Sequence, residues 1–416
     1  MRIRPIILLT AFLAAGCTHY RLDDSVIGAA NVSTDQRAPK WQPQAATDRH
    51  YVMITRRFIR DQIAPSDLNP LCNAGRISQL QGNDRSVAVS ILLPRLEDGE
   101  RPEVPILLMR GRDSNASSAG ECSIDVEGGT VMPANRLGTG AIAIGARHVS
   151  AGKSNPPIAE IASATAHVVS FFTSGGNPVV GSLAGFAADK RVRDLQTVWQ
   201  NFGTLADGRT FSPFNGAPLT LQDIRAGRTV ADLPVTLIRT RDGARVPLGK
   251  IELRAVALAS LLSSDPTHDD GIPVFRPEFD LNGNSLKVMV PGNRQALALW
   301  DALDPPDTPP GSRLRDRALA LAENATAAEI RRVCSEAASS ASGRLGLAFY
   351  DRLAVQAAVL RETKPWAANS QVLRQTPHPC FLGNHGDTLV KMGFAPAPDS
   401  PLAQTLTQNI QSHGGR

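Results

Sequence analysis

The chain has 416 residues, 42% of them hydrophobic, and 44 Lys and Arg stand against 39 Asp and Glu. The net charge of +5 is spread along the chain with no block of five or six like charges, and only 3 tyrosines are present. Nucleic-acid binding needs basic residues gathered on one face, or aromatics interleaved with them, so composition argues against that partner class.

Taken in chain order, Arg2 and Arg4 give a basic start and Pro5 to Ala15 an apolar run, closed by Leu13-Ala14-Ala15-Gly16-Cys17. So short an apolar run cannot span a bilayer as a helix, and it reads as a targeting segment instead of an anchor. The pentapeptide resembles the lipobox of bacterial lipoproteins. That resemblance implies cleavage between Gly16 and Cys17, leaving 1–16 as the signal peptide and Cys17 as the lipidated, palmitate-bearing N-terminus. Thr18 stands where an Asp would direct retention at the inner membrane in the best-studied sorting systems. The resemblance therefore implies the outer membrane, with the periplasmic side as the expected face. Loss of Arg2 and Arg4 leaves 42 basic residues against 39 acidic ones, a net charge of +3.

Residues 18–48 are rich in Asp, Asn, Ser, Gln, Ala and Pro and almost without apolar periodicity. Such a stretch buries too little surface to offset its ordering entropy, which predicts a flexible tether over 17–48. From Tyr51 the pattern turns strand-like: Tyr51–Thr55, Val87–Leu93, Val104–Met109 and Ala141–Ile144 are short apolar runs bounded by turn formers. Helices are predicted over about 158–172 and 181–202. Val235–Ile238 and Lys250–Leu253 read as a hairpin through Arg241-Asp242-Gly243, and Asn282-Gly283 marks a second, because that pair tolerates the positive φ of a type I′ turn.

The last third reads as helical. Prolines at 305, 306, 309 and 310 stop a helix at about 293–303. Thr326 with Glu329 is a capping-box signature, followed by an apolar stripe of Ile330, Val333, Cys334, Ala337 and Ala338. A partner helix over about 345–361 carries Leu345, Phe349, Leu353 and Leu360. Runs of strands followed by runs of helices predict an α+β fold, a β-rich N-terminal region followed by a helical C-terminal region stabilised by disulfides. The expected divisions are 49–205 and 206–292 for two β-rich segments, 293–395 for the helical region and 396–416 for a disordered tail.

With Cys17 assigned to lipid, four cysteines remain: Cys72, Cys122, Cys334 and Cys380. An even number in an exported chain favours disulfides. Of three pairings, Cys72–Cys122 and Cys334–Cys380 are preferred, since each closes a loop within one half. No CxxC or paired Cys/His spacing supports metal ligation by these residues.

The densest set of hard ligands is Asp265, His268, Asp269 and Asp270, on a Pro- and Gly-bounded turn that reads first as a surface loop. His378, His385 and Asp387 form a second weak metal candidate near Cys380. The Gly-Lys pair at 152–153 lacks the glycine five positions earlier that a phosphate loop needs, and no Gly-x-Ser-x-Gly elbow occurs. No cofactor and no catalytic residue is assigned. The leading expectation is a non-catalytic envelope lipoprotein with a scaffold, assembly or binding role, contacting the membrane through its anchor and an envelope protein or cell-wall partner. The alternatives are an exported metal-dependent hydrolase acting on cell-wall or other envelope material through one or other His/Asp set, and an accessory lipoprotein of a secretion or conjugation machine.

Overall fold

The computed structural model describes residues 20–23, 31–41, 49–61, 86–92, 103–110, 128–135, 143–151, 193–194, 197, 210–211, 219–239, 242–262, 267–275, 286–288, 297–304, 307–322, 324–363, 380 and 385–394. Strands and helices both contribute, giving a mixed α+β fold. The first strands are β1 (Tyr20–Leu22), β2 (Asn31–Thr34), β3 (Tyr51–Arg60), β4 (Ser86–Leu92), β5 (Glu103–Arg110), β6 (Gly128–Asn135) and β7 (Ala143–Ala151). After them come β8 (Thr210–Phe211), β9 (Leu219–Thr220), helix α1 (Leu221–Arg225), β10 (Arg228–Arg239) and β11 (Arg245–Leu258).

These strands make two antiparallel sheets. One has the order β1-β10-β11-β3-β6, with β2 also on β10; the other has β5-β4-β7-β8, with β9 on β7. The side-chain period of two explains what lies on each face. Val52 and Ile54 of β3 and Ile251, Leu253, Ala255 and Ala257 of β11 turn inward, against Val89, Ile91, Val104 and Ile106 of the second sheet. Tyr51, Met53 and Leu258 turn the other way, into a separate helical core. The β3–β11 end is thus shared between two cores. Polar ties also occur inside the sandwich. The buried Arg56 guanidinium donates to the Pro105 carbonyl of the facing sheet, and Ser90 donates to the buried Glu103. Burial lowers the pKa of Arg56 to about 9.

The second core begins with the small pair β12 (Lys287–Val288) and β13 (Leu297–Ala298). The helices that follow are α2 (Leu299–Leu303), α3 (Leu314–Leu319), α4 (Ala327–Ser339), α5 (Phe349–Glu362) and α6 (Gly386–Lys391). Helix α4 starts at the expected capping box, in which the Thr326 hydroxyl and the Glu329 carboxylate each satisfy a backbone donor of the other. Its Ile330, Val333, Cys334 and Ala337 are buried, and a π-helical turn over Ser340–Arg344 ends it. Cys334 is bonded to Cys380, with a Cα–Cα distance of 5.2 Å. Gln356 Nε2 also donates to the Cys380 carbonyl at 2.9 Å, fixing that segment against α5.

Several expectations change. Part of the stretch expected to be a tether is built into the sheet. Tyr20–Leu22 and Asn31–Thr34 both pair with β10, Asp35 meets Arg254 at 2.5 Å, and Trp41 enters the sandwich core. Unpaired backbone along β10 recruits these residues despite their polarity, since ladder hydrogen bonds need no apolar side chain. The division at 205/206 crosses a continuous sheet, because β3 pairs with β11 from Tyr51↔Leu258 to Arg60↔Gly249. The expected hairpin strands at 235–238 and 250–253 are the inner portions of the much longer β10 and β11. Strand β6 was not anticipated, and the helix expected over 293–303 occupies only Leu299–Leu303, after a short strand. Arg193, Asp194 and Thr197 are helical within the 181–202 expectation. The expected signal peptide 1–16, Cys17, Cys72, Cys122, the helix expected over 158–172, the expected Asn282-Gly283 turn and the expected tail over 396–416 lie outside the described residues.

Candidate functional site

Two polar clusters join the β3–β11 end to the helices, and together they gather residues from four distant stretches of chain. The inner one centres on Asp351, in the first turn of α5 and fully buried. Asp351 Oδ2 accepts from Tyr51 Oη at 2.7 Å and from the Leu261 amide at 2.8 Å, and Oδ1 accepts from Ser260 Oγ at 2.5 Å. Tyr51 Oη in turn accepts from the Ala348 amide at 2.7 Å, satisfying a donor at the start of α5 that has no side-chain cap of its own. Burial raises the Asp351 carboxyl, and the donors from Ser260, Leu261, Tyr51 and Leu262 pull it back only part of the way, to a pKa of about 6. Desolvation wins over a full set of hydrogen bonds.

The outer cluster forms around the turn at Thr267–Pro273. Thr267 bridges to Pro273, and the amides of His268 and Gly271 close the turn on Ile272 O and His268 O. One side of this turn meets His50 and Trp41. The buried His50 ring stacks on Trp41 at 4.8 Å, meets Tyr350 edge-on at 5.3 Å, and lies 2.9 Å through Nε2 from the Gly271 carbonyl. A carbonyl only accepts, so Nε2 carries the proton. The other side of the turn meets the end of α6. Asp270 pairs with Lys391 Nζ at 2.6 Å, His268 Nε2 donates to the Lys391 carbonyl at 2.9 Å, and the Phe275 amide donates to Met392 O at 2.9 Å.

The electrostatics follow from these contacts. Partial burial works upward on Asp270, but Lys391, the Ile272 amide and the His268 charge outweigh it and hold its pKa below the usual carboxylate value. Burial raises the Tyr350 hydroxyl, with Arg49 opposing. Asp270 therefore already has a cation, and His268 already has an acceptor.

Gly271 sets the geometry of the whole contact. Its φ is +81°, and a Cβ there would stand 2.7 Å from His50 Nε2 and 3.1 Å from Trp41. Gly271→Ala combines left-handed strain with displacement of the His50 ring, an expected loss of about 2–3 kcal/mol in chemical denaturation. Gly243 has a φ of +69° with nothing within 4 Å, so Gly243→Ala is expected to cost only about 1 kcal/mol. Equal losses in the two variants would contradict the close contact.

The expected metal sets are partly united, though not as ligands. His268 and Asp269 are exposed on the turn, and Asp270 is half-buried in the pair with Lys391. His385 stands at the N-cap position of α6 without a side-chain capping bond and meets Phe349 edge-on at 5.3 Å, and Asp387 is exposed in the first turn of α6. Asp265 and His378 lie outside the described residues. Among the described residues, no three His, Cys, Asp or Glu side chains gather as a metal site, and no helix is long and apolar enough to cross a membrane.

Sequence reasoning missed Asp351, His50, Trp41, Tyr51 and Lys391. The one signal available was Asp351 itself, a lone carboxylate near the start of the Ala-, Val- and Leu-rich stretch Phe349–Leu360. No protein-family model, curated protein or solved structure matches the chain.

Proposed function

We propose that the chain is a membrane-anchored envelope lipoprotein with a scaffold, assembly or binding role and no catalytic one. The observation that carries this reading is the Leu13-Ala14-Ala15-Gly16-Cys17 sequence behind a basic start and a short apolar run. Cys17 is the lipid attachment point, the outer membrane is its destination because Thr18 follows the cysteine, and the protein body faces the periplasm. Its partner is an envelope protein or cell-wall material.

The disulfide supports an exported location, since such bonds persist in oxidising compartments. The ionisable groups at the sheet–helix junction support a non-catalytic role by their employment. Asp351, Asp270, His268 and His50 each hold one chain segment to another, and the Asp351 carboxyl has no solvent-exposed surface. Rigid joints of this kind suit a body that presents surfaces to partners.

Metabolic labelling with a palmitate analogue tests the anchor. The wild-type protein is expected to incorporate label and to fractionate with membranes, and Cys17→Ser to lose both properties. Undiminished acylation of the Cys17→Ser protein would overturn the assignment.

A further inference from the structure

We infer that the end of the sheet where β1 pairs with β10 lies against the anchoring membrane, with the helical core held away from it. This inference rests on lipidation of Cys17. Strand β1 begins at Tyr20, only three residues beyond Cys17. Three peptide steps reach at most about 11 Å, which bounds the separation in any conformation. Strand β1 pairs with the end of β10 that enters the hairpin, Tyr20 opposite Arg239 and Leu22 opposite Leu237. Asp23 extends this attachment. Its amide donates to Thr236 O at 2.8 Å, and its buried carboxylate meets Arg245 Nε at 2.9 Å. The lipid is therefore fastened within about a nanometre of the pairing that holds the hairpin, with no long leash between bilayer and sheet.

The Arg245 side chain is 64% exposed even while paired. From Arg245, β11 runs to Leu258, where the helical core begins. At about 3.3 Å per residue this is about 40 Å of separation. The surface bearing His268, Asp270 and Lys391 thus stands well clear of the membrane and open to the periplasm.

Photo-crosslinking in proteoliposomes tests this orientation. A benzophenone amino acid is placed at Asp242, exposed beside the hairpin tip, or at Leu319, 43% exposed on α3. The acylated protein is reconstituted into phosphatidylethanolamine vesicles containing phosphatidylglycerol, and lipid adducts are quantified by mass spectrometry. The expected result is about tenfold more lipid adduct at 242 than at 319. A long Gly/Ser insertion after Thr18 is expected to abolish the difference between the positions. Equal adducts at 242 and 319 in protein whose Cys17 acylation is verified would overturn the orientation and leave the lipoprotein reading intact. Absence of acyl chains on Cys17 would instead overturn the lipoprotein reading on which the orientation depends.

Discussion

Asp351→Ala is expected to destabilise the protein by about 3 kcal/mol or more, because truncation strands three donors that converge on a buried position, each costing about 1–3 kcal/mol when left unsatisfied. The donors are Tyr51 Oη, the Leu261 amide and Ser260 Oγ. Asp351→Asn behaves differently. Its amide oxygen can accept from Tyr51 and Leu261, while its NH2 group donates to Ser260 Oγ, so most of the network survives without a charge. The two variants together separate the hydrogen bonds from the buried charge.

The charge has a definite pH signature. The folded carboxyl has a pKa of about 6, raised above its unfolded value of 3.8. The folded state therefore binds the proton more tightly, and this contribution is complete below pH ~4 and lost as pH rises through ~6. The rise from 3.8 to about 6 corresponds to about 3 kcal/mol. Other carboxylates add their own pH dependence, so the informative quantity is the difference between variants. Asp351→Asn is expected to gain about 3 kcal/mol relative to wild type between pH 4 and pH 7 in urea denaturation. Parallel stability curves for the two proteins would show that burial does not control this carboxyl.

Removing the Cys334–Cys380 bond should produce the other large loss. Its residues are 46 apart, and closing a loop of that length stabilises by about 4 kcal/mol in the chain-entropy account. Cys334 is buried between α4 and its neighbours, and the Cys380 carbonyl is held by Gln356, so the bond ties the chain beyond α5 back to the helical core. The double variant Cys334→Ala, Cys380→Ala is expected to lose about 4 kcal/mol. Amide exchange should accelerate at Leu389, Met392 and Phe394 of the α6 region and remain slow along β10 and β11. A change below about 1 kcal/mol with unchanged exchange would mean that α6 is held by the Asp270 and Phe275 contacts alone.

These two features also show what a sequence discloses. The Cys334–Cys380 pairing was legible because an even set of cysteines beyond Cys17 invites pairing and a helical stripe places Cys334 inward. The capping box at Thr326 and the strand runs at β3, β4 and β5 were legible because local periodicity and local hydrogen bonding determine them. The Asp351 network was not legible. It joins Tyr51 to a residue 300 positions away, and only the pairing of β3 with β11 brings Ser260 beside both. Strands β1 and β2 were hidden for a related reason. Their side chains are mostly polar, and their place is set by the unpaired backbone of β10, which carries no mark in their own composition. The Asp265–Gly271 turn was recognised as rich in ligands, but Lys391, which neutralises Asp270, comes from the far end of the chain.

The central claim, that the chain is a lipid-anchored envelope protein, is tested most directly by mass spectrometry of its N-terminal peptide from native membranes. The account predicts a peptide beginning at Cys17 and carrying a thioether-linked diacylglycerol, with residues 1–16 absent. A peptide beginning at Met1, or one cleaved elsewhere with an unmodified Cys17 thiol, would contradict it.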